Sequence, residues 1–184
     1  MLRSVTAVSA LATVASLAGC SATGSEAPRP EPKVIEGQAT GKTVKGTGYL
    51  LTAPKGWAAR KVDVPGSHDI DRHVFDLGDR DGFTDNFNVL LAEPGAYDVD
   101  NMEAAALNEM GIAGVRNRRA RRPVLVAGEP ATHVSGRLTK NRVEYVVEQY
   151  HAVRDDQVFV VTFSFSPGLG RATRQRTTES VLNT

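Results

Sequence analysis

Beyond residue 48, apolar residues recur mostly at every second position, which is the spacing of β-strands. The clearest example is the stretch 158–165, where Phe159, Val161, Phe163 and Phe165 share one face. Short polar turns separate such stretches, and short connections favour antiparallel pairing of neighbouring strands. The pattern predicts strands over residues 49–53, 57–62, 73–77, 86–93, 123–127, 132–138, 143–153 and 158–165.

Two stretches have helical spacing instead. Residues 100–110 begin at Asp100 or Asn101, either of which can cap a helix, carry an apolar stripe and end at Gly111. Residues 170–182 are polar and basic with sparse apolar positions, and they predict a closing helix. Hairpin-connected strands with helices outside them predict an α+β domain, an antiparallel β-sheet flanked by helices.

The N-terminus has a different pattern, in which Arg3 precedes an unbroken run of apolar and small residues over 5–18. This run of about 14 residues is shorter than the roughly 20 that a membrane span needs, so residues 1–19 are interpreted as a signal peptide. The residues Leu17-Ala18-Gly19-Cys20 resemble the lipobox of bacterial lipoproteins. That resemblance implies cleavage before Cys20 and a diacylglyceryl group on its sulfur. The alternative is a plain secretory peptide with an incidental cysteine.

Residues 20–47 are rich in serine, glycine, threonine and proline and lack apolar periodicity, which predicts a flexible linker between the lipidated Cys20 and a globular domain over 48–184. Cys20 is the only cysteine, so this exported domain forms no internal disulfide and depends on its core for stability. The chain has 22 lysines and arginines against 21 aspartates and glutamates, and this balance does not favour a nucleic-acid partner.

Several short motifs occur here in a characteristic order: Tyr49-Leu50-Leu51-Thr52-Ala53-Pro54-Lys55-Gly56-Trp57, Asn86-Phe87-Asn88-Val89, Gly128-Glu129-Pro130-Ala131, Glu148-Gln149-Tyr150 and Phe159-Val160-Val161-Thr162-Phe163-Ser164. In this order they resemble the LpqN/LpqT-type lipoproteins of mycobacteria and other actinobacteria over residues 48 to 182. The resemblance implies a PsbP-like fold, an α/β/α sandwich. It also implies a membrane-tethered binding or accessory module without an established catalytic motif.

Motifs of well-known catalytic chemistry are missing from the sequence. It contains no Gly-x-Ser-x-Gly elbow, phosphate-binding glycine loop, paired-cysteine metal motif or His-Glu-x-x-His motif, and no cofactor is predicted. The best metal candidates are His68, Asp71 and His73, whose imidazole and carboxylate groups suit zinc. A solvated loop explains the same residues more simply, and we favour that interpretation.

Five arginines stand within seven positions: Arg116, Arg118, Arg119, Arg121 and Arg122. They could form a patch that contacts anionic lipid headgroups or an acidic partner. The alternative, which we favour, is a solvated edge strand whose charges prevent edge-to-edge aggregation.

Other single residues permit two interpretations. Trp57 is interpreted as a core anchor, with a ligand groove as the alternative. His133 and His151 could be paired across the sheet, although a lone histidine on a strand is usually satisfied locally. Glu144 and Glu148 lie on one strand face about 13 Å apart, too far to act on one bond together.

Together these features predict a lipoprotein anchored at the extracytoplasmic face of the cell membrane. We expect a non-enzymatic binding or accessory module for a lipid, a small hydrophobic ligand or an envelope protein partner. The alternative is a cell-envelope hydrolase or metal-dependent enzyme whose catalytic groups lie on the loops around 68–85. A third hypothesis is an interaction protein without a pocket.

Overall fold

Nine strands and two helices follow one another along the residues that the structure, a computed structural model, describes: 29–60, 70–93 and 99–184. The predicted signal peptide, Cys20 and His68 lie outside these residues. The strands are β1 (Thr43–Lys45), β2 (Leu50–Thr52), β3 (Trp57–Ala59), β4 (Ile70–Asp76), β5 (Asn86–Leu91), β6 (Arg116–Val126), β7 (Glu129–Lys140), β8 (Val143–Arg154) and β9 (Gln157–Phe165). The helices are α1 (Met102–Ile112), which follows a 3-10 turn at Val99–Asn101, and α2 (Arg171–Leu182).

Seven of these strands form one antiparallel sheet in the order β3-β4-β5-β9-β8-β7-β6, and β1 pairs with β2 in a separate hairpin. Two-residue turns join β6 to β7, β7 to β8 and β8 to β9. Both residues of each turn have positive φ, at Ala127-Gly128, Asn141-Arg142 and Asp155-Asp156. Turns of this kind match the twist of paired strands, so these four strands run as a continuous meander.

The sheet is covered on both faces, which explains why its central strands are apolar at consecutive positions. On one face, Phe163 and Phe165 of β9 share a core with Val181 and Leu182 of α2 and with residues of the β1–β2 hairpin. On the other face, Ala106 and Met110 of α1 pack against Val134 and Val147. The predicted α+β class and its helix–sheet–helix layering are therefore confirmed.

The N-terminal boundary of the folded domain lies earlier than the predicted residue 48. Lys33 forms a parallel bridge with Val124, and Ile35 and Val44 are buried in the core. β1 itself falls within the segment predicted as a linker. Backbone pairing with β6 and β2 holds the described part of that segment in place. Its polar composition gives no local signal of this pairing.

β6 begins at Arg116, seven residues before the predicted strand start at Pro123. Pairing with β7 supplies the hydrogen bonds, while most of the arginine side chains stay exposed at the sheet edge. β7 also begins earlier than predicted, at Glu129, because the turn before it needs only two residues. No helix among the described residues combines the length and the apolar character that a membrane span requires.

Candidate functional site

An apolar cleft opens between the β1–β2 hairpin and the α2-bearing face of the sheet, with a volume of about 730 Å³. Aliphatic and aromatic side chains from strands that are distant in sequence form its walls. They are Tyr49, Leu50, Leu51, Val89, Val126, Ala152, Val153, Phe159, Val161 and Leu182. Charged residues also line it: Lys45, Glu129, Arg154 and Asp155.

The hairpin forms one wall because the ring of Tyr49 packs in two directions. It meets Phe159 edge to face at 5.8 Å between ring centroids. It also covers Gly46, where a Cβ atom would lie only 2.0 Å from the nearest ring atom. Glycine at position 46 is therefore required for this ring to fold back over the hairpin turn.

Asp71 of β4 connects the β1–β2 hairpin to the main sheet through hydrogen bonds. Its carboxylate accepts hydrogen bonds from the backbone N–H and the hydroxyl of Thr47, each at 2.9 Å. Burial would raise the pKa of Asp71, but the hydrogen bonds from Thr47, the nearby Tyr49 hydroxyl and the positive charge of Arg72 outweigh it, so the pKa is lowered. Burial is the main cause that raises the pKa of the Tyr49 hydroxyl, and the neighbouring Asp71 raises it further, so the hydroxyl stays protonated.

The metal candidates have structural partners in the part of the chain that is described. Asp71 is engaged by the hairpin, and Nε2 of His73 lies 3.2 Å from Oδ1 of Asn86. The His73 ring also stacks on Phe75, and burial lowers its pKa. Within residues 29–60, 70–93 and 99–184, no group of three or more histidine, cysteine, aspartate or glutamate side chains is arranged to hold a metal ion.

Trp57 lies in the core, not in the cleft. It is 7% exposed, stacks on Phe87 at 6.1 Å and approaches Phe165 at 6.5 Å between ring centroids. These contacts correspond to the core-anchor interpretation of the sequence. The residues that line the cleft come from the hairpin, from several strands of the main sheet and from α2, and no short motif joins them.

The five arginines lie on the edge strand β6, but bulges after Arg116 and after Arg121 divide them among different surroundings. Arg116 lies 3.9 Å from Glu144, and Arg118 packs over Gly111 of α1. Arg119 is exposed, whereas Arg121 and Arg122 line a pocket on the α2 face. Bulges redirect side chains in this way, so the sequence cluster does not form one continuous patch.

This second site, the charged pocket, lies between Lys33, the strands β6, β7 and β8, and the helix α2. Its volume is about 110 Å³, and it is lined by Lys33, Arg121, Arg122, Val124, His133, Glu148, Tyr150, Arg171, Gln175 and Glu179. Glu148 is central, because its carboxylate lies 2.9 Å from Nε2 of His133 and 3.7 Å from Nε of Arg174. Lys33 contacts Glu179 at 2.7 Å.

His133 and His151 are not paired across the sheet. His133 lies opposite Tyr150 and stacks on its ring at 4.2 Å, which places it on the α2 face. His151 follows Tyr150 directly and therefore points to the other face. It is almost fully buried, and burial lowers its pKa to about 4, so it is neutral at pH 7.

The loop that the enzyme hypothesis required is described from residue 70 onwards, and its carboxylates hold its own backbone. Asp79 accepts hydrogen bonds from the N–H groups of Asp81 and Asp85. Asp85 accepts one from the N–H of Ser166 at 2.7 Å. Burial, with nearby carboxylates as a further cause, raises the pKa of Asp85 to about 6.

We expect Asp85→Asn to change how stability depends on pH. The Asp85 carboxyl has an ordinary pKa of 3.8 and a folded-state value of about 6, so the folded state binds the proton more tightly. Stability from this group is therefore present below pH 3.8 and falls as the pH rises to about 6. Because asparagine carries no charge, the variant should avoid a loss of roughly 3 kcal/mol across this window.

Urea unfolding at pH 4 and pH 7 measures this difference directly. Asp81→Asn is the control. Hydrogen bonds, above all from Ser166, lower the pKa of Asp81, so its contribution to stability changes with pH in the opposite direction to that of Asp85. Parallel pH profiles for the wild type and Asp85→Asn would contradict the prediction.

Comparison with known proteins gave structural likenesses only. A scan against protein-family models and a search of curated proteins found no match. LpqN of Mycobacterium tuberculosis, described as involved in cell envelope biogenesis, is 14% identical with a TM-score of 0.49, over 83% of this chain and 86% of LpqN. PsbP of the cyanobacterium Synechocystis is 16% identical with a TM-score of 0.41, over 73% of this chain and 83% of that protein.

A protein of Bacteroides thetaiotaomicron is 14% identical with a TM-score of 0.47 over 73% of this chain. This chain spans only 43% of that protein's length. LpqN and PsbP, the two names in the resemblance drawn from the sequence, thus both occur among the structural neighbours. Identities this low bear on the fold alone, because one fold hosts many functions.

Proposed function

We propose that this protein is a non-catalytic binding module that holds a hydrophobic small molecule with an acyl-like chain in the apolar cleft. A lipid on Cys20 would tether it to the extracytoplasmic face of the cell membrane. The observation that carries the proposal is the cleft itself. Its volume of about 730 Å³ falls within the roughly 300–1,000 Å³ of small-molecule sites.

The chemistry of the walls supports an apolar ligand. Phe159 and Val161 of β9 and Leu51 of the hairpin present carbon atoms to the cleft, and transfer of apolar surface from water to such walls is favourable. Lys45 and Arg154 offer positive charges to a polar end group of the ligand, with Glu129 and Asp155 nearby. An amphiphile with one chain and a small polar head fits this distribution.

The enzyme alternative requires a base in contact with a nucleophile. Among the residues that line the apolar cleft there is no histidine or cysteine, and the described loop carboxylates are engaged with backbone N–H groups. These observations support binding over catalysis at this site. An envelope protein partner would be a different occupant, and the experiment below distinguishes it.

Purification of the protein from its own membranes, followed by native mass spectrometry and lipid analysis, tests the proposal. We expect a bound molecule of lipid-like mass that is released on unfolding. A stoichiometric protein partner with an empty cleft would support the accessory-partner alternative. Recovery of the intact polypeptide from the culture medium or cytosol with an unmodified Cys20 would contradict the tether.

We expect Ala152→Trp to weaken binding of a fluorescent fatty-acid analogue by roughly tenfold, because the indole would occupy the cleft volume. Ala152 is partly exposed and faces the cleft from β8, so a large side chain can enter that space. Ala120→Trp is the matched control, since Ala120 is an exposed strand residue outside the cleft lining. Equal affinities of the two variants, measured by fluorescence titration, would contradict binding in this cleft.

A further inference from the structure

The charged pocket carries more positive than negative charge. Four of its lining residues are cationic, Lys33, Arg121, Arg122 and Arg171, whereas Glu148 and Glu179 are its carboxylates. Counted over these six side chains, the lining has a formal excess of two positive charges. An anion of matching charge would offset the repulsion between these cations.

Both carboxylates already have partners that are not the arginines of β6. Glu179 accepts two hydrogen bonds from Nζ of Lys33, at 2.7 and 2.9 Å. Glu148 is shared between His133 and Arg174, as described above. Neither carboxylate is therefore left to neutralise the arginines of β6.

Among the described residues, each of those two arginines donates a hydrogen bond from only one of its nitrogen atoms. Nε of Arg121 donates to the Ser135 hydroxyl at 2.7 Å, and Nε of Arg122 donates to the Glu31 carbonyl at 2.8 Å. These bonds fix the side chains. In the part of the chain that the structure describes, their terminal Nη groups donate to no protein acceptor and remain available to a ligand.

We propose that the charged pocket binds a phosphate group. Guanidinium groups match the geometry of phosphate oxygens and donate in pairs to them, and an excess of two positive charges suits a dianion. A volume of about 110 Å³ exceeds the roughly 30 Å³ that one water molecule occupies, and it accommodates a group of phosphate size. The site lies apart from the lining of the apolar cleft, so the inference does not depend on the proposed function.

Arg122 and Arg171 are the residues to change, because both are exposed and contribute to the pocket without a core contact. We expect Arg122→Gln with Arg171→Gln to weaken phosphate binding by at least roughly tenfold, because charge-assisted hydrogen bonds are lost. Arg171→Gln alone leaves the Arg122–Glu31 contact intact and should give a smaller loss in the same direction. Arg119→Gln on β6 and Arg176→Gln on α2 are matched controls that lie outside the pocket.

The test uses the protein purified from its own membranes in a non-ionic detergent, with calorimetric titration and thermal unfolding at constant ionic strength. One arm adds inorganic phosphate, and the other adds dihexanoyl phosphatidic acid, a short-chain lipid. Binding that the pocket variant loses and both controls retain supports the proposal. The tighter arm identifies the source of the group as a free phosphate or a lipid headgroup. No binding in either arm, or equal losses in the control variants, overturns it.

Discussion

Replacing Phe163 with alanine should lower the free energy of unfolding by about 3–5 kcal/mol, the usual cost of removing a buried phenylalanine. The side chain is fully buried at the centre of the sheet. Its ring lies 5.3 Å from that of Phe87, 6.0 Å from Tyr150 and 6.0 Å from Phe165. All three neighbours would line the resulting cavity, so a single substitution removes much of the stability of an ordinary domain.

Urea unfolding followed by far-UV circular dichroism measures this loss. Phe83→Ala is the matched control, because Phe83 is partly exposed and its ring stacks on Tyr145 at 5.0 Å outside the main core. We expect it to cost about 1 kcal/mol. If the two variants unfolded at the same urea concentration, the aromatic cluster around Phe163 would not be the centre of the core.

Phe163 also shows why much of the sheet could be predicted from the sequence. Its strand alternates so regularly that Phe159, Val161, Phe163 and Phe165 share one face, and the turn before it is polar. Both signals are local, and they agree with each other. The same agreement placed β8 and the closing helix α2 within a residue or two of their observed ends.

The N-terminal segment could not be predicted in this way, because its structure depends on residues far along the chain. Lys33 is separated by 146 residues from Glu179, its ion-pair partner. Val44 stands alone among polar residues, and Ile35 has only Val34 beside it. Neither forms a periodic pattern, although both are buried in the folded domain. A composition rich in proline and glycine describes the local chain but not such long-range pairing.

The apolar cleft and the charged pocket could not be predicted for the same reason, because each is formed by residues that are far apart in the sequence. The apolar cleft takes its walls from the hairpin, from β5, β6, β8 and β9 and from the end of α2, so no single stretch of sequence contains it. Bulges in β6 decide which arginines reach the charged pocket, and a strict two-residue period cannot foresee them. The edge-strand position of the arginines could nevertheless be predicted from the sequence, because clustered cations on a strand favour the edge of a sheet.

Removing the Glu148 carboxylate should have the second large effect on stability. Its side chain is 11% exposed, and it faces His133 and Arg174, whose side chains are each 15% exposed. Glu148→Ala would leave the Arg174 guanidinium without its carboxylate partner. Loss of one member of a buried ion pair costs about 3–5 kcal/mol, since the remaining charge is poorly solvated.

Glu144→Ala is the matched control on the same face of the same strand. Glu144 contacts Arg137 at 2.6 Å, but its side chain is 41% exposed, and a surface pair of this kind contributes about 1 kcal/mol or less. Glu148→Leu combined with Arg174→Leu should recover much of the loss, because both buried charges are then removed. Equal destabilisation by Glu148→Ala and Glu144→Ala in urea would show that burial of the Glu148 pair has no special cost.

The Glu148→Ala variant also separates stability from binding. Glu148 is one of the two carboxylates in the lining of the charged pocket, so its removal increases the positive excess there. If the pocket takes a phosphate group, this variant should bind phosphate more tightly while it unfolds more easily. A purely structural ion-pair network would lose stability without any gain in phosphate affinity. Calorimetric titration of the variant at a temperature well below its unfolding transition distinguishes these outcomes.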